Sequence, residues 1–335
     1  MAGFAHGRMR AHARASKRRE TLRKAFLILL ALIVLGALAF YLLTMPVTLP
    51  ASALPDHAPD IANGKIMFIA GGCAECHAAP EGACDDLDIE DETVLAGGRC
   101  LKTDVGIFHV PNISPDTETG IGDWTMLDFV NAMKRGVAPG GVHLYPAFPY
   151  TSYQRMAFRD LIDLKAYLDT LPAVRNTVPA HALHFPYNIR RGLGLFQRLY
   201  VDGETFAPDP EASDAVNRGA YLVLGPAHCG ECHSPRNALG GVIQSHAFAG
   251  AKSPEGDGTT PNITPSKDGI GDWTEEDIVY LLETGSTPDF DVIGETMVPV
   301  QENMAKLSGD DRSAIAAYLK TLPPRPDAVE KTGPR

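Results

Sequence analysis

Apolar residues follow two patterns along the 335-residue chain. From Ala25 to Leu43 they run for nineteen residues without a charge, enough to span the hydrocarbon core of a bilayer as a helix. Beyond residue 58 they recur three and four positions apart in short segments, the spacing of amphipathic helices. Ile66 and Ile69 lead into Cys73, and Tyr221 and Leu224 lead into Cys229. A second helix is expected from Thr125, with Met126, Phe129, Val130 and Met133 on its apolar face, and its counterpart from Thr274, with Ile278, Leu281 and Leu282. Asp128 and Asp277 complete a variant capping box with each threonine, and Gly136 and Gly285 are stop signals. A last helix carries Leu161, Leu164, Leu168 and Leu171 in one place and Ile315, Leu319 and Leu322 in another, halted by Pro172 and Pro323. Alternation of period two is scarce, which argues against a sandwich or barrel.

These pairs belong to an internal repeat. Pro111-Asn112-Ile113-Ser114-Pro115 returns as Pro261-Asn262-Ile263-Thr264-Pro265, and Gly120-Ile121-Gly122-Asp123-Trp124-Thr125 as Gly269-Ile270-Gly271-Asp272-Trp273-Thr274. Ala166-Tyr167-Leu168 returns as Ala317-Tyr318-Leu319, the three offsets being 149 to 151, while Cys73 returns as Cys229 at an offset of 156. The expected architecture is therefore all-α. A basic cytoplasmic segment (1–24) and a transmembrane anchor (25–43) are followed by a linker (44–58) and two tandem modules (59–175 and 214–324). Residues 176–213 join the modules, with Ile189, Leu193, Leu195, Leu199 and Tyr200 forming a short amphipathic helix, and 325–335 are a tail.

Charge sets the compartment. Residues 1–24 carry eight Lys and Arg against one Glu, a net of +7, so residues 25–335 carry −18 of the total −11. The basic flank places the N-terminus in the cytoplasm and the rest outside it. A cleaved signal peptide is the rival, since Ala51-Ser52-Ala53 has the small-x-small form of a cleavage site. It stands well beyond the apolar run, however, and an uncleaved anchor is preferred. The acidic balance disfavours nucleic acid as a partner. It either solvates the surface or attracts a basic redox partner.

The chemistry resides in the cysteines. Cys73-Ala74-Glu75-Cys76-His77 and Cys229-Gly230-Glu231-Cys232-His233 are two C-x-x-C-H motifs. Two thiols on one helical turn can add to the two vinyl groups of a haem, and the next residue offers an imidazole to the iron. A redox dithiol or a zinc site would not demand His after both pairs. Two covalently bound haem c groups are expected, with His77 and His233 as proximal ligands. Trp124 and Trp273 are candidates for propionate contacts, against simple core packing. Arg190 and Arg191 are weaker candidates for the same role, against solvation. Cys84 and Cys100 are expected to form a disulfide in an oxidising compartment.

Further stretches resemble the cytochrome c subunits of membrane-bound bacterial alcohol, aldehyde and gluconate dehydrogenases. They are Asn112 to Thr125, His143-Leu144-Tyr145-Pro146-Ala147-Phe148-Pro149-Tyr150, Phe185-Pro186-Tyr187-Asn188-Ile189-Arg190-Arg191, and Asn217 to Asn237. The resemblance covers roughly residues 59–324. It implies an electron-transfer protein whose partners are a dehydrogenase, a cytochrome or an oxidase. Two departures stand out: such subunits usually carry three haems, and the methionine that binds iron in the family's Tyr-Pro-Ala-Met-Pro-Tyr is here Phe148. Met297 occupies the matching place in the second copy and is the expected sixth ligand there, ahead of Met304. For the first haem the candidates are Met156, eight residues after Phe148, and His143, five before it.

The expected function is electron transfer from a dehydrogenase or quinol-linked donor to another cytochrome or oxidase, at the outer face of the bacterial cytoplasmic membrane. The alternative is a dihaem enzyme, a peroxidase or a thiosulfate-oxidising cytochrome, which would need an open or unusual iron ligand.

Overall fold

The computed structural model describes residues 3–78, 91–253, 258–294 and 296–329, with side chains from residue 17 onward. Contacts divide the chain into two units, Met1–Met45 and Pro46–Arg335. The first unit is a single helix, α1 (Gly3–Leu43). Its stretch Lys17–Leu43 is long and apolar enough to cross a membrane, a test that a signal sequence also passes.

The second unit contains eleven α-helices among the described residues. The first half holds α2 (Ile61–Ala70), α3 (Cys73–His77), α4 (Met126–Arg135), α5 (Tyr150–Tyr153) and α6 (Phe158–Leu168). A connecting helix α7 (Leu193–Tyr200) leads to α8 (Asp214–Leu224), α9 (Gly230–His233), α10 (Glu275–Thr284), α11 (Met297–Lys306) and α12 (Gly309–Thr321). The unit is helix-rich, with a few strands that periodicity did not predict. β1 (Cys100–Thr103), β2 (Gly106–His109) and β5 (Ala182–Leu183) form an antiparallel sheet, while β3 (Val137–Ala138) pairs with β4 (Val142–His143) and β6 (Ala251–Lys252) with β7 (Thr259–Thr260). Strands of two to four residues are too short to show an alternating pattern.

Local signals explain the helix ends. Thr125 and Thr274 each accept from the amide three residues on, and Asp128 and Asp277 reach back to the threonine amides, so both capping boxes close. Gly136 and Gly285 end these helices in the left-handed conformation that glycine adopts without a Cβ clash. The linker helix is shorter than the apolar pattern implied: Ile189 lies before it, exposed.

Each half closes around a crossing of its first and last helices, α2 on α6 and α8 on α12. Both crossings turn on a glycine. A Cβ on Gly64 would stand 2.1 Å from the Asp163 carbonyl oxygen, and one on Gly219 1.9 Å from that of Ala314. Helix backbones can approach this closely only where one side chain is a hydrogen. Gly219→Ala is therefore expected to lower stability by about 3 kcal/mol or more through overpacking against backbone. Chemical denaturation of the intact protein checks this, and an unchanged midpoint would contradict it.

The first crossing has an additional polar tie. Asp163 is buried and accepts from the Asp60 amide at 2.8 Å, the Asn63 amide nitrogen at 2.8 Å and His57 Nε2 at 2.7 Å. Burial alone would raise this carboxyl, but the three donors outweigh it and hold it below its ordinary 3.8. The depressed value means that the ionised form stabilises the fold above pH 3.8, and that this contribution is lost as pH falls below it. Asp163→Asn should cost about 1–3 kcal/mol at neutral pH. The gap to wild type should shrink below about pH 4. Urea midpoints measured across the acid range decide this; a gap that stays constant would refute it.

Two apolar cores result, and each borrows from the other half. The first contains Met67, Phe68, Phe129, Met133, Tyr153, Met156, Leu161, Leu164 and also Tyr221. The second contains Leu222, Ile270, Ile278, Met304, Ile315, Leu319 and also Ala70.

Candidate functional site

Each C-x-x-C-H motif sits on one helical turn, α3 or the turn opening α9, directly after the first crossing helix of its half. One turn carries both sulfurs and the imidazole, with Cys73 packed on the first core and Cys229 on the second. None of the four cysteines is in a disulfide. Burial pushes the Cys73 and Cys229 thiols up to about 12, with Cys76 and Glu75 adding repulsion at Cys73 and Cys232 at Cys229. Among the described residues, no group of three or more His, Cys, Asp or Glu side chains is placed to hold a bare metal ion.

The histidines are braced in the same way. His77 Nδ1–H donates to the Pro111 carbonyl at 2.8 Å, and His233 Nδ1–H to that of Pro261 at 2.8 Å. A carbonyl only accepts, so Nδ1 carries the proton and Nε2 keeps its lone pair for a metal. Burial lowers both imidazoles, His77 to about 4, so each is neutral at physiological pH. Such a second hydrogen bond is the usual means by which a protein orients a ligating imidazole and raises its basicity. The residues present therefore fit a thioether-linked haem with His as the fifth iron ligand.

The repeated Pro-Asn-Ile-Ser/Thr motif explains how that carbonyl is held. Asn112 is buried, donates to Val174 O at 2.7 Å and accepts from the Ser114 amide at 2.9 Å. Asn262 repeats this with Arg325 O at 2.9 Å and the Thr264 amide at 2.8 Å. Gly97 N–H returns to His77 O at 2.8 Å, and Gly250 N–H to His233 O at 2.9 Å. Both glycines have positive φ, and a Cβ on Gly97 would meet the Pro111 carbonyl carbon at 2.4 Å. The sequence displayed the repeat, but not that its proline carbonyls orient the histidines.

Each motif also grips the opposite half of the unit. Glu75 accepts from Asn303 on α11 of the second half, while Glu231 accepts from Thr151 and Ser152 on α5 of the first at 2.6 Å each. Their electrostatics differ. Burial pushes Glu75 up to about 7, against the Asn303 hydrogen bond and the charges of Arg99 and Lys306. Burial works on Glu231 too, but Arg236, Ser152 and Thr151 together hold it below the ordinary value. Between the motifs, Tyr153 Oη donates to Gly71 O at 3.2 Å and its ring meets His228 at 5.5 Å, edge to face.

The remaining candidates fall in different places. Met156 is fully buried in the core that Cys73 adjoins, and half-buried Phe148 packs on the same core. The Met156 carbonyl accepts from the buried Lys134 ammonium at 2.9 Å, which also holds Gln154 O. In the second half the buried Arg312 guanidinium holds the equivalent carbonyls of Ala305 at 3.0 Å and Leu307 at 2.6 Å. Met156 thus corresponds to Leu307, not to Met297 or Met304. Met297 opens α11 and is half-buried, and Met304 is buried in the second core. His143 is buried on β4 with Nδ1 2.6 Å from Gln197 Oε1.

Trp124 and Trp273 each half-bury against their own core, and Trp273 also lines a cavity of about 530 Å³ with Thr287, Asp289, Phe290 and Asp291. Arg190 lies over the Tyr145 ring at 4.7 Å and donates to His143 O at 3.0 Å. Cys100 is disulfide-bonded, which removes it as a thiolate ligand. Cys84, its expected partner, lies outside the described residues.

Comparison with known proteins agrees with this geometry. The chain is 45% identical over 294 residues to a "Diheme cytochrome c-type" protein of Cereibacter sphaeroides, covering 88% of this chain and 96% of that one. It is 36% identical over 282 residues to the fructose dehydrogenase cytochrome subunit of Gluconobacter japonicus, covering 83% of this chain and 55% of the relative. It is 33% identical over 287 residues to the cytochrome c subunit of the quinone-dependent alcohol dehydrogenase of Gluconobacter oxydans, at 81% and 57% coverage. The chain spans little more than half the length of these dehydrogenase subunits. No protein-family model matches it.

Proposed function

Because this chain belongs to the dihaem c-type cytochromes, we propose that it is a membrane-anchored periplasmic carrier moving electrons from a dehydrogenase or quinol-linked donor to another cytochrome or a terminal oxidase. It carries two covalently bound haem c groups. Each haem, when bound, supplies a one-electron iron couple. The chain's own residues do the rest. Cys73 and Cys76 attach one group and Cys229 and Cys232 the other. His77 and His233 present Nε2, fixed by the proline carbonyls. The two cores would shield the bound groups from water. Met297 would be the sixth ligand in the second half and Met156 in the first. Trp124 and Trp273 offer indole N–H donors to the propionates.

In this reading residues 59–175 and 214–324 are two cytochrome c domains, and residues 25–43 hold them at the outer face of the cytoplasmic membrane. The observation that carries the function is the duplicated brace of proximal histidine on proline carbonyl, built twice around a C-x-x-C-H turn. No acid, base or nucleophile is needed. The dehydrogenase partner follows from relatives that are themselves cytochrome subunits of fructose and alcohol dehydrogenases. The acidic surface would speed encounter with a basic acceptor.

Gentle solubilisation of native membranes tests the donor. A dehydrogenase is expected to remain with the cytochrome and to reduce it when given its substrate. If no dehydrogenase-containing fraction reduces the cytochrome, the dehydrogenase donor is wrong.

A further inference from the structure

Between Asp169 and Asp202 there is neither Asp nor Glu, while Arg175, Arg190, Arg191 and Arg198 all fall there. The same stretch carries exposed apolar side chains. Phe185 is 78% exposed, Tyr187 54% and Ile189 48%, and α7 adds Leu199 at 62%. The inner face of α7 is secured: Gln197 holds His143 Nδ1 and donates to Gly136 O at 2.7 Å. Tyr145 Oη donates to Tyr187 O at 3.0 Å. The apolar side chains are therefore presented by a fixed surface braced on the β3–β4 hairpin.

That hairpin is also where the chain enters this unit. Pro46 lies against the turn of the hairpin, where a Cβ on Gly141 would be 3.0 Å from Pro46 Cγ. Val142, the next residue, is exposed. Pro46 follows Leu43, the end of the apolar helix, by three residues, a reach of at most about 11 Å. The chain thus passes from the apolar helix into this unit beside the hairpin that braces the exposed apolar surface.

We propose that the surface formed by residues 185–189 and the outer face of α7 lies on the anionic headgroups of the membrane into which the anchor inserts, fixing how both haem sites face the periplasm. The inference rests on the reading of the N-terminal helix as an uncleaved span. Apolar side chains interleaved with arginines are the composition of interfacial helices. Carboxylates would be repelled by anionic lipid, and residues 170–201 contain none. A basic redox partner attracted by the rest of the chain would be repelled here, so the charge favours lipid over that protein.

Spin labels on the full-length haem-loaded protein test this in vesicles of phosphatidylcholine and phosphatidylglycerol. Labels are placed singly through Leu199→Cys on the surface, Leu35→Cys in the anchor and Tyr280→Cys on exposed α10. Depth is read from accessibility to oxygen against a water-soluble nickel chelate. The Leu199 label is expected about 5–10 Å below the headgroup boundary, the Leu35 label deeper, and the Tyr280 label in water. If the Leu35 label is deep and the Leu199 label is as aqueous as Tyr280, the surface proposal falls and the anchor stands. If the Leu35 label is aqueous, both fall. If the Leu199 label becomes shielded only when a dehydrogenase is added, the surface is a protein-docking site and the proposal is overturned. Should Leu199→Cys not fold, Tyr187→Cys reports the same surface.

Discussion

Replacing Cys229 and Cys232 together by serine should halve the haem content, from two groups per chain to one, and leave a protein far less stable than wild type. Serine keeps the turn but cannot form thioethers, so attachment at His233 is lost. The second core, around Leu222, Ile278, Met304 and Ile315, then loses the largest apolar group packed on it. Truncating a single buried aromatic side chain costs about 3–5 kcal/mol, and a haem is larger than any side chain. The loss should reach the first half as well, because Tyr221 packs in the first core and Ala70 in the second. Haem quantified per chain, together with a denaturation curve, checks both expectations. Two haems retained per chain would mean that these cysteines are not the attachment site.

Met156→Leu and Met297→Leu should each convert a different haem from low-spin to high-spin, with a fall in its reduction potential, because a thioether sixth ligand raises the potential. Met156 is favoured over His143 by placement. It is buried in the core that Cys73 adjoins, and its carbonyl is held by Lys134. His143→Ala should accordingly leave the spin state of the first haem unchanged. Lys134→Met should loosen the Met156 loop and weaken the same ligand without touching the second haem, whose half uses Arg312 for the equivalent carbonyls. Electronic spectra and redox titration of the four variants separate the sites. A spectrum unaltered by Met156→Leu, or a high-spin signal in His143→Ala, would move the assignment.

The legible parts of the sequence were those where one local signal suffices. Capping boxes at Thr125 and Thr274, glycine stops at Gly136 and Gly285, and the helical turn of each C-x-x-C-H motif all stand where the pattern put them. The repeat offset of about 150 residues also told which features would occur twice. What the sequence hid depends on contacts across long separations. Pro111 is 34 residues from His77, and Asn303 is 228 from Glu75. The buried cation behind the Met156 loop was equally hidden, since Lys134 and Arg312 do the same work from non-equivalent helices. The β1–β2–β5 sheet escaped because its strands are too short for a period to show.

The central claim is that this chain holds two one-electron centres. The most direct test is anaerobic reductive titration of the intact protein with simultaneous haem and protein quantification. The account predicts two electrons taken up per chain, with absorbance changes at both centres. Uptake of a single electron per chain, or haem content of one, would contradict it.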